Sequence, residues 1–222
     1  MSWSSGKDSA FALHRMRAIG DLEICALLVT VNADADRVAM HAVRRQLLEA
    51  QASRLGLPLR VVEIPSPCPN DIYEMRMADA LVTARAEGID HMIFGDLFLE
   101  DVRAYRERNL ADTGITPVFP LWGEPTDRLA HHMVDAGVRA VLTCVDPAVL
   151  PATFAGRDYD EALLADLPAG IDPCGERGEF HTFVWDGPGF DAPLTIRRGE
   201  TVTRDGFVFC DILADDESST AN

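Results

Sequence analysis

The chain has 222 residues, 47% of them hydrophobic and 25% charged, which suits one large globular domain or a domain with a smaller appendage. A formal net charge of −16 and a pI near 4.6 argue against wrapping nucleic acid or lying on an anionic membrane, since both need a basic face. No apolar run approaches the ~20 residues of a membrane span, and no signal peptide precedes the first motif. Five widely spaced cysteines without a CxxC pair support neither a disulfide framework nor a zinc site. The expected compartment is a reducing cytoplasm.

In chain order, only Met1 to Trp3 precede SSGKDS, a short remnant of a first strand. DSAFALHRMRAIG follows as a helix, with Asp8 at its start and Gly20 past its end. EICALLVTVN is a near-continuous apolar run, the pattern of a strand buried on both faces. HAVRRQLLEAQASRLG reads as a helix, LRVVEI as a strand, and NDIYEMRMADALVTARAEG as a helix after the break PSPCPN. HMIFGD is the next strand, LEDVRAYRERNLADTG a charged helix, ITPVFPLW a short strand, and PTDRLAHHMVDAG a helix opened by Pro125. RAVLTCV closes the series.

This alternation predicts an α/β fold, a parallel doubly wound sheet of Rossmann type with helices on both faces. Beyond about residue 145, Pro and Gly become frequent and short strands surround a turn at Arg204–Gly206, so a smaller α+β appendage is expected. The expected division is residues 1–145 and 146–222. In such sheets ligands bind beyond the carboxyl ends of the strands, where SSGKDS, TVNAD and GDLFLED all fall.

Lys7 is the only lysine among 20 basic residues. Glycine allows close backbone approach, a helix start offers unpaired N–H groups, and a lysine adds a mobile charge, so Ser4, Ser5, Gly6, Lys7, Asp8 and Ser9 form a candidate anion cradle. Walker A spacing is absent: Met1 stands where its first glycine belongs and Asp8 where its Ser/Thr belongs. The plainer alternative is a helix cap built on Ser5 or Asp8, with Lys7 exposed.

SSGKDS resembles the SGGKDS loop of the PP-loop ATP pyrophosphatases, with Ser5 in place of a glycine. GDLFLEDVRAYRERN followed by PVFPLWG, and GIDPCGERGEFHTF, are similar to segments of the diphthine–ammonia ligase family over nearly the whole chain. Where those ligases read GEGGEYET, this chain has Arg177 for a glycine, Phe180 for the tyrosine and His181 for an acidic residue. The resemblance implies a HUP-like fold and a two-step amidation: a carboxylate attacks the α-phosphate of ATP, releasing pyrophosphate, and ammonia then displaces AMP. It implies that Lys7 and the Ser4–Ser9 backbone hold phosphates, that Mg²⁺ bridges them with Asp8 orienting the ion or the lysine, and that Thr30 and Val31 offer backbone groups to the adenine edge. Gly95 and Asp96 would adjoin the nucleotide.

Asp96, Asp101, Arg103 and Arg106 lie at the sheet's carboxyl edge, where a substrate role competes with that of a solvated helix face. Glu176, Glu179 and His181 sit in a Gly-rich loop expected to face the second substrate, with Glu179 taking a proton from ammonium. The expected partners are ATP, ammonia and a carboxylate acceptor whose identity stays open, with a homodimer also left open. Two other readings stand: a PP-loop tRNA-modifying enzyme, for which Cys174 is the candidate sulfur carrier, and a nucleotide-binding sensor without turnover.

Overall fold

The computed structural model describes residues 1–33, 37–38 and 43–215. His41 and Ala42, read above as the start of a helix, and the tail beyond Asp215 lie outside the described residues. The first half runs α1 (Lys7–Ile19), β1 (Leu27–Asn32), β2 (Arg37–Val38), α2 (Arg45–Arg54), β3 (Leu59–Ile64), α3 (Asn70–Ala86), β4 (His91–Ile93), α4 (Glu100–Leu110) and β5 (Thr116–Val118). The second half runs α5 (Thr126–Asp135), β6 (Arg139–Val145), β7 (Asp158–Tyr159), α6 (Glu161–Asp166), β8 (Phe180–Asp186), β9 (Ile196–Arg204) and β10 (Phe207–Ala214). Among the described residues no helix is long and apolar enough to cross a membrane.

Parallel pairing in the first half comes in two pieces. β1 lies along β3, from Leu27 opposite Leu59 to Asn32 opposite Ile64, and β4 lies along β5. The first three residues bridge them through main-chain bonds. Leu28 N donates to the Met1 carbonyl and Trp3 N to the Leu28 carbonyl, both at 2.8 Å, while Ser2 N donates to the Ile93 carbonyl at 2.9 Å. The spatial order is therefore β3, β1, the N-terminal segment, β4, β5.

Strand alternation decides which helices cover which face. Leu27, Val29 and Val31 of β1 join Phe11 and Leu13 of α1 and Leu47 and Leu48 of α2 in the larger core. Leu28 turns the other way, against a smaller core holding Leu81 of α3, Phe94 and Leu110 of α4. Both faces of the short sheet are covered, as its near-continuous apolar strands require.

The second half is an antiparallel sheet. β6 pairs with β8 on one side and with β7 and β10 on the other, and among the described residues β9 pairs only with β10. The sequence reading of RAVLTCV as the close of the parallel series is thus corrected. A strand buried from Ala140 to Val145 reads as the same apolar run in either kind of sheet, and only its partners decide. The expected turn before the last strand is present: Asp205 and Gly206 take φ of 52° and 85° between β9 and β10.

Gln51 locks the two halves together. Fully buried on the inner face of α2, its amide accepts from Trp3 Nε1 at 2.9 Å and donates to the Ser5 carbonyl at 3.1 Å and the Val184 carbonyl of β8 at 2.6 Å. Val184 N returns a bond to the Ser5 carbonyl at 2.9 Å. Leucine at position 51 would keep the volume and strand the indole N–H and a carbonyl lone pair. Each such buried group costs about 1–3 kcal/mol, so Gln51→Leu should lower stability by roughly 2–5 kcal/mol, read as a fall in the urea midpoint.

Candidate active site

Helix α1 starts without a side-chain cap. Gly6 is the N-cap residue, in an extended conformation, and neither Ser5 nor Asp8 caps the helix as the plainer sequence reading had it. The first main-chain bond of the helix runs from Ala10 N to the Gly6 carbonyl at 3.1 Å. The amides of Asp8 and Ser9 therefore precede the helical ladder, the arrangement that favours an anion. Gly95, just after β4, is packed against this turn: a Cβ there would lie 2.9 Å from the Ser9 nitrogen and the Asp8 carbonyl carbon. Only glycine lets the two turns meet and keeps that backbone uncovered.

Ser5 explains why a glycine would be usual at its position. It has φ of 69°, in the left-handed region where a Cβ costs about 1–2 kcal/mol. Its side chain is buried and its Oγ has no hydrogen-bond partner. Its backbone carbonyl, held by Gln51 and Val184, is what the fold uses.

Lys7 is not exposed; it is 2% accessible. Its main-chain N–H donates to Thr182 Oγ1 of β8 at 3.1 Å. Its ammonium contacts Asp8 Oδ1 and Oδ2 at 3.0 and 2.9 Å and donates to the Cys174 carbonyl. The rings of Tyr159 and Phe180 flank it at 5.4 and 5.5 Å. Burial works against the charge on Lys7, but Asp8, then Cys174 and Glu176, outweigh it and hold the ammonium above the ordinary lysine range. Burial lifts the Asp8 carboxyl while Lys7 draws it back.

A cleft of about 340 Å³ opens over this pair, lined by Ser4, Lys7, Asp8 and Ser9 on one side, by Gly95 and Asp96 on another, and by Cys174–Glu176 and Phe180–Thr182 across from them. Glu176 Oε1 accepts from Leu97 N at 2.9 Å. Burial pushes its carboxyl up to about 7; the Leu97 bond opposes this, and Asp8 and Asp96 add to it. Burial also raises the Asp96 carboxyl, with Arg106 opposing. Asp96 Oδ2 and Arg106 Nε are buried, form no hydrogen bond, and face each other as a long ion pair at 3.5 Å. Among the described residues no three His, Cys, Asp or Glu side chains gather as a metal-holding group.

A second, more apolar cavity of about 370 Å³ adjoins the cleft, with Leu28, Thr30, Ile64, Tyr73, Met77 and Met92 in its walls. Ser2, Ser4, Phe94 and Arg106 line both spaces. Leu28 uses its main-chain groups on the N-terminal segment, so Thr30, two residues on, turns its own to the same side.

The structure thus brings Ser4, Lys7, Asp8, Ser9, Gly95, Asp96, Arg106, Glu176 and His181 around one cleft, with Thr30 next door. Other residues singled out in the sequence lie elsewhere. The Val31 side chain is in the core. Asp101 is exposed on α4. Arg103 pairs with Glu107 at 2.8 Å and lies 4.8 Å from the rings of Phe119 and Trp122. Glu179 is 6% exposed and spends its oxygens on its own loop, accepting from Asp172 N at 3.1 Å and Arg177 N at 3.0 Å. Gln51, Thr182 and Asp172 went unremarked in the sequence. For Gln51 a signal existed: a lone amide among Leu47, Leu48, Ala52 and Leu55 on the buried face of a helix.

A parallel sheet whose first turn leads to an uncapped helix start, facing a charged cleft and an adjoining apolar cavity, defines an α/β protein with a candidate site at that turn. Residues 1–117 match the diphthamide synthase N-terminal domain and residues 125–215 the diphthamide synthase C-terminal domain. The chain belongs to the diphthamide synthase family. It is similar to the diphthine–ammonia ligase of Danio rerio, 28% identical over 230 residues, covering 94% of this chain and 90% of that one. The diphthine–ammonia ligases of Bos taurus and Homo sapiens are each 24% identical over 232 residues, covering 94% of this chain and 86% of theirs.

Replacing Ser5 with glycine should relieve the left-handed strain and remove the orphaned hydroxyl, set against ~0.5–1 kcal/mol of extra unfolded-state entropy. Ser5→Gly is expected to gain about 1 kcal/mol, seen as a higher urea midpoint at unchanged slope.

Proposed function

We propose that the protein is an AMP-forming amide ligase: it adenylates a substrate carboxylate with ATP, releases pyrophosphate, and completes the amide with ammonia. The observation that carries this reading is the placement of Lys7 and the uncapped start of α1 in one cleft with Glu176, beside an apolar cavity. Family membership and the printed names of the relatives support it. On this reading the sheet is the doubly wound nucleotide-binding kind, with helices on both faces. The junction with the acceptor-binding part falls between β5 and α5, earlier than residue 145, because β6 is central to the antiparallel sheet.

The adenosine occupies the apolar cavity against Thr30, and the phosphates lie on the Ser4–Ser9 turn with Arg106 at the junction. Asp96, with a buried oxygen lacking a hydrogen bond, and Asp8 are the carboxylates that fit Mg²⁺ held jointly with phosphate oxygens. That ion would supply charge neutralisation. The acceptor carboxylate oxygen attacks the α-phosphorus as the bond to the β-phosphate oxygen breaks. Positioning and neutralisation do most of this work. Ammonia nitrogen then attacks the activated carbonyl carbon, AMP departs, and the nitrogen gives up a proton. Glu176 is the base for that proton, in place of Glu179, because its carboxyl faces the cleft.

The sulfur-transfer alternative lacks a suitable nucleophile. Cys174 is 1% exposed, and burial pushes its thiol up to about 12, so little thiolate forms near neutrality. A sensor without turnover would need the cradle and not Glu176, and turnover separates the two.

Incubation with Mg²⁺, ATP, ammonium and candidate carboxylates should yield AMP and pyrophosphate by ion-exchange chromatography. ADP and phosphate would place the protein in another class. Because the Glu176 carboxyl is pushed up to about 7 and must be ionised to accept a proton, amide formation at a fixed concentration of free ammonia should rise with pH through about 7 and then level. Glu176→Gln should flatten that limb and cut amide formation by ~10²–10⁴ while pyrophosphate release persists.

A further inference from the structure

Lys7 has no proton to spare. An ammonium carries three, and three acceptors stand within hydrogen-bond reach: the two Asp8 oxygens at 3.0 and 2.9 Å and the Cys174 carbonyl. The Tyr159 and Phe180 rings wall its flanks at 5.4 and 5.5 Å. A phosphate oxygen can reach this ammonium only by displacing an acceptor. Asp8 is the charged partner, whose bonds are roughly twice as strong as those to a neutral group, and it is the next residue on the same rigid helix. The Cys174 carbonyl is neutral and belongs to a loop.

The loop's own hydrogen bonds make it one cooperative unit, so the loss of a tether lowers the cost of opening all of it. Glu179 ties its ends together through Asp172 N and Arg177 N, and Asp172 Oδ1 accepts from Cys174 N at 2.7 Å. Gly175, with φ of 68°, packs against Phe180, where a Cβ would lie 2.8 Å from the carbonyl oxygen. The side of the cleft holding α1 and β4 meets the loop through two hydrogen bonds, Lys7 to the Cys174 carbonyl and Leu97 N to Glu176. The second half holds the loop as well: Thr126 Oγ1 of α5 donates to Asp172 at 3.0 Å, the Thr126 carbonyl accepts from Cys174 Sγ at 3.5 Å, and the Tyr159 hydroxyl of β7 donates to the Pro173 carbonyl at 2.9 Å.

We propose that the Cys174 carbonyl occupies the place of a phosphate oxygen, so that a bound nucleotide takes Lys7 from it and releases the 172–179 loop. The loop walls one side of the cleft until the nucleotide is seated, and the second substrate enters from that side afterwards. This order of binding rests on the nucleotide reading above. Lys7 is then the shared group between the two substrates: one charge cannot serve the loop and the phosphates at once.

Hydrogen exchange with mass spectrometry tests this on the intact protein, with Mg²⁺ and α,β-methylene-ATP, which resists cleavage at the α–β linkage. The expected result is slower exchange over Ser4–Ser9 and roughly ten- to hundredfold faster exchange over 172–178, the scale of one lost hydrogen bond to a charged group. Protection of Ser4–Ser9 with unchanged or slower exchange in the loop overturns the release and leaves the nucleotide reading intact. No protection anywhere, and no calorimetric heat, overturns both. The ligand-free double variant Lys7→Met/Asp8→Asn, which leaves no unpaired buried charge, should show the fast loop without nucleotide. A slow loop in that variant overturns the role of Lys7 as the latch.

Discussion

One buried ammonium constrains the site. Moving a charge of this size out of water costs several kcal/mol even after relaxation, and Lys7 at 2% exposure bears that cost at a junction of the two halves. Its environment offsets the loss with a carboxylate from its own helix, a carbonyl from the second half and two aromatic faces. Separating the halves would remove the carbonyl and the rings and leave the Lys7–Asp8 pair to water. The side chain has to be lysine. A guanidinium brings five donors in a rigid plane, and the three acceptors around this compact ammonium could not satisfy them.

The same junction is reinforced by neutral groups, which explains how so short a first strand suffices. Trp3 N and Leu28 N tie the N-terminal segment to β1, and Ser2 N ties it to β4. Gln51 then fixes the turn that follows by gripping the Trp3 indole and the Ser5 carbonyl together. The left-handed strain at Ser5 is maintained because that carbonyl must point at β8, where Val184 N also donates to it. The cradle at the start of α1 is therefore held open from beneath by main-chain bonds, and its shape does not depend on the side chains facing the cleft.

The parts of the site legible in the sequence were those with a local signal. SSGKDS announces a helix start and an anion cradle through its composition, although its Ser and Asp also read as a cap that the fold does not use, and Gly95 and Asp96 follow a strand end where a ligand edge is expected. The alternation of apolar runs and helices gave the order of elements through β5. What depended on partners in space was not legible. RAVLTCV is equally apolar in either sheet type, so its antiparallel neighbours could not be read from it. Glu176 and Glu179 are three residues apart in one loop with the same chemistry, and only the fold turns one to the Leu97 amide and the cleft and the other to its own loop amides. Asp101 and Arg103 lie in the same dense charged run as Arg106, yet Arg106 alone of the three lines the cleft, because a helix presents one face.

The charges that converge on the cleft also set an order of events. Asp8, Asp96 and Glu176 face Lys7 and Arg106; beyond the effect of burial, Asp8 raises the Asp96 carboxyl, and Asp8 and Asp96 both raise that of Glu176. A polyphosphate arriving beside them adds like charge, which disfavours the ionised form of a carboxyl still further. On the proposed reading, Glu176 is therefore held protonated while the triphosphate is present and so cannot draw ammonia forward. Loss of pyrophosphate removes most of that negative charge, the Glu176 carboxyl falls back toward its value near 7, and a base appears beside the activated acceptor. On the proposed reading, the negative charge that arrives and leaves with the triphosphate therefore separates adenylation from amidation, acting on the same loop that the nucleotide releases.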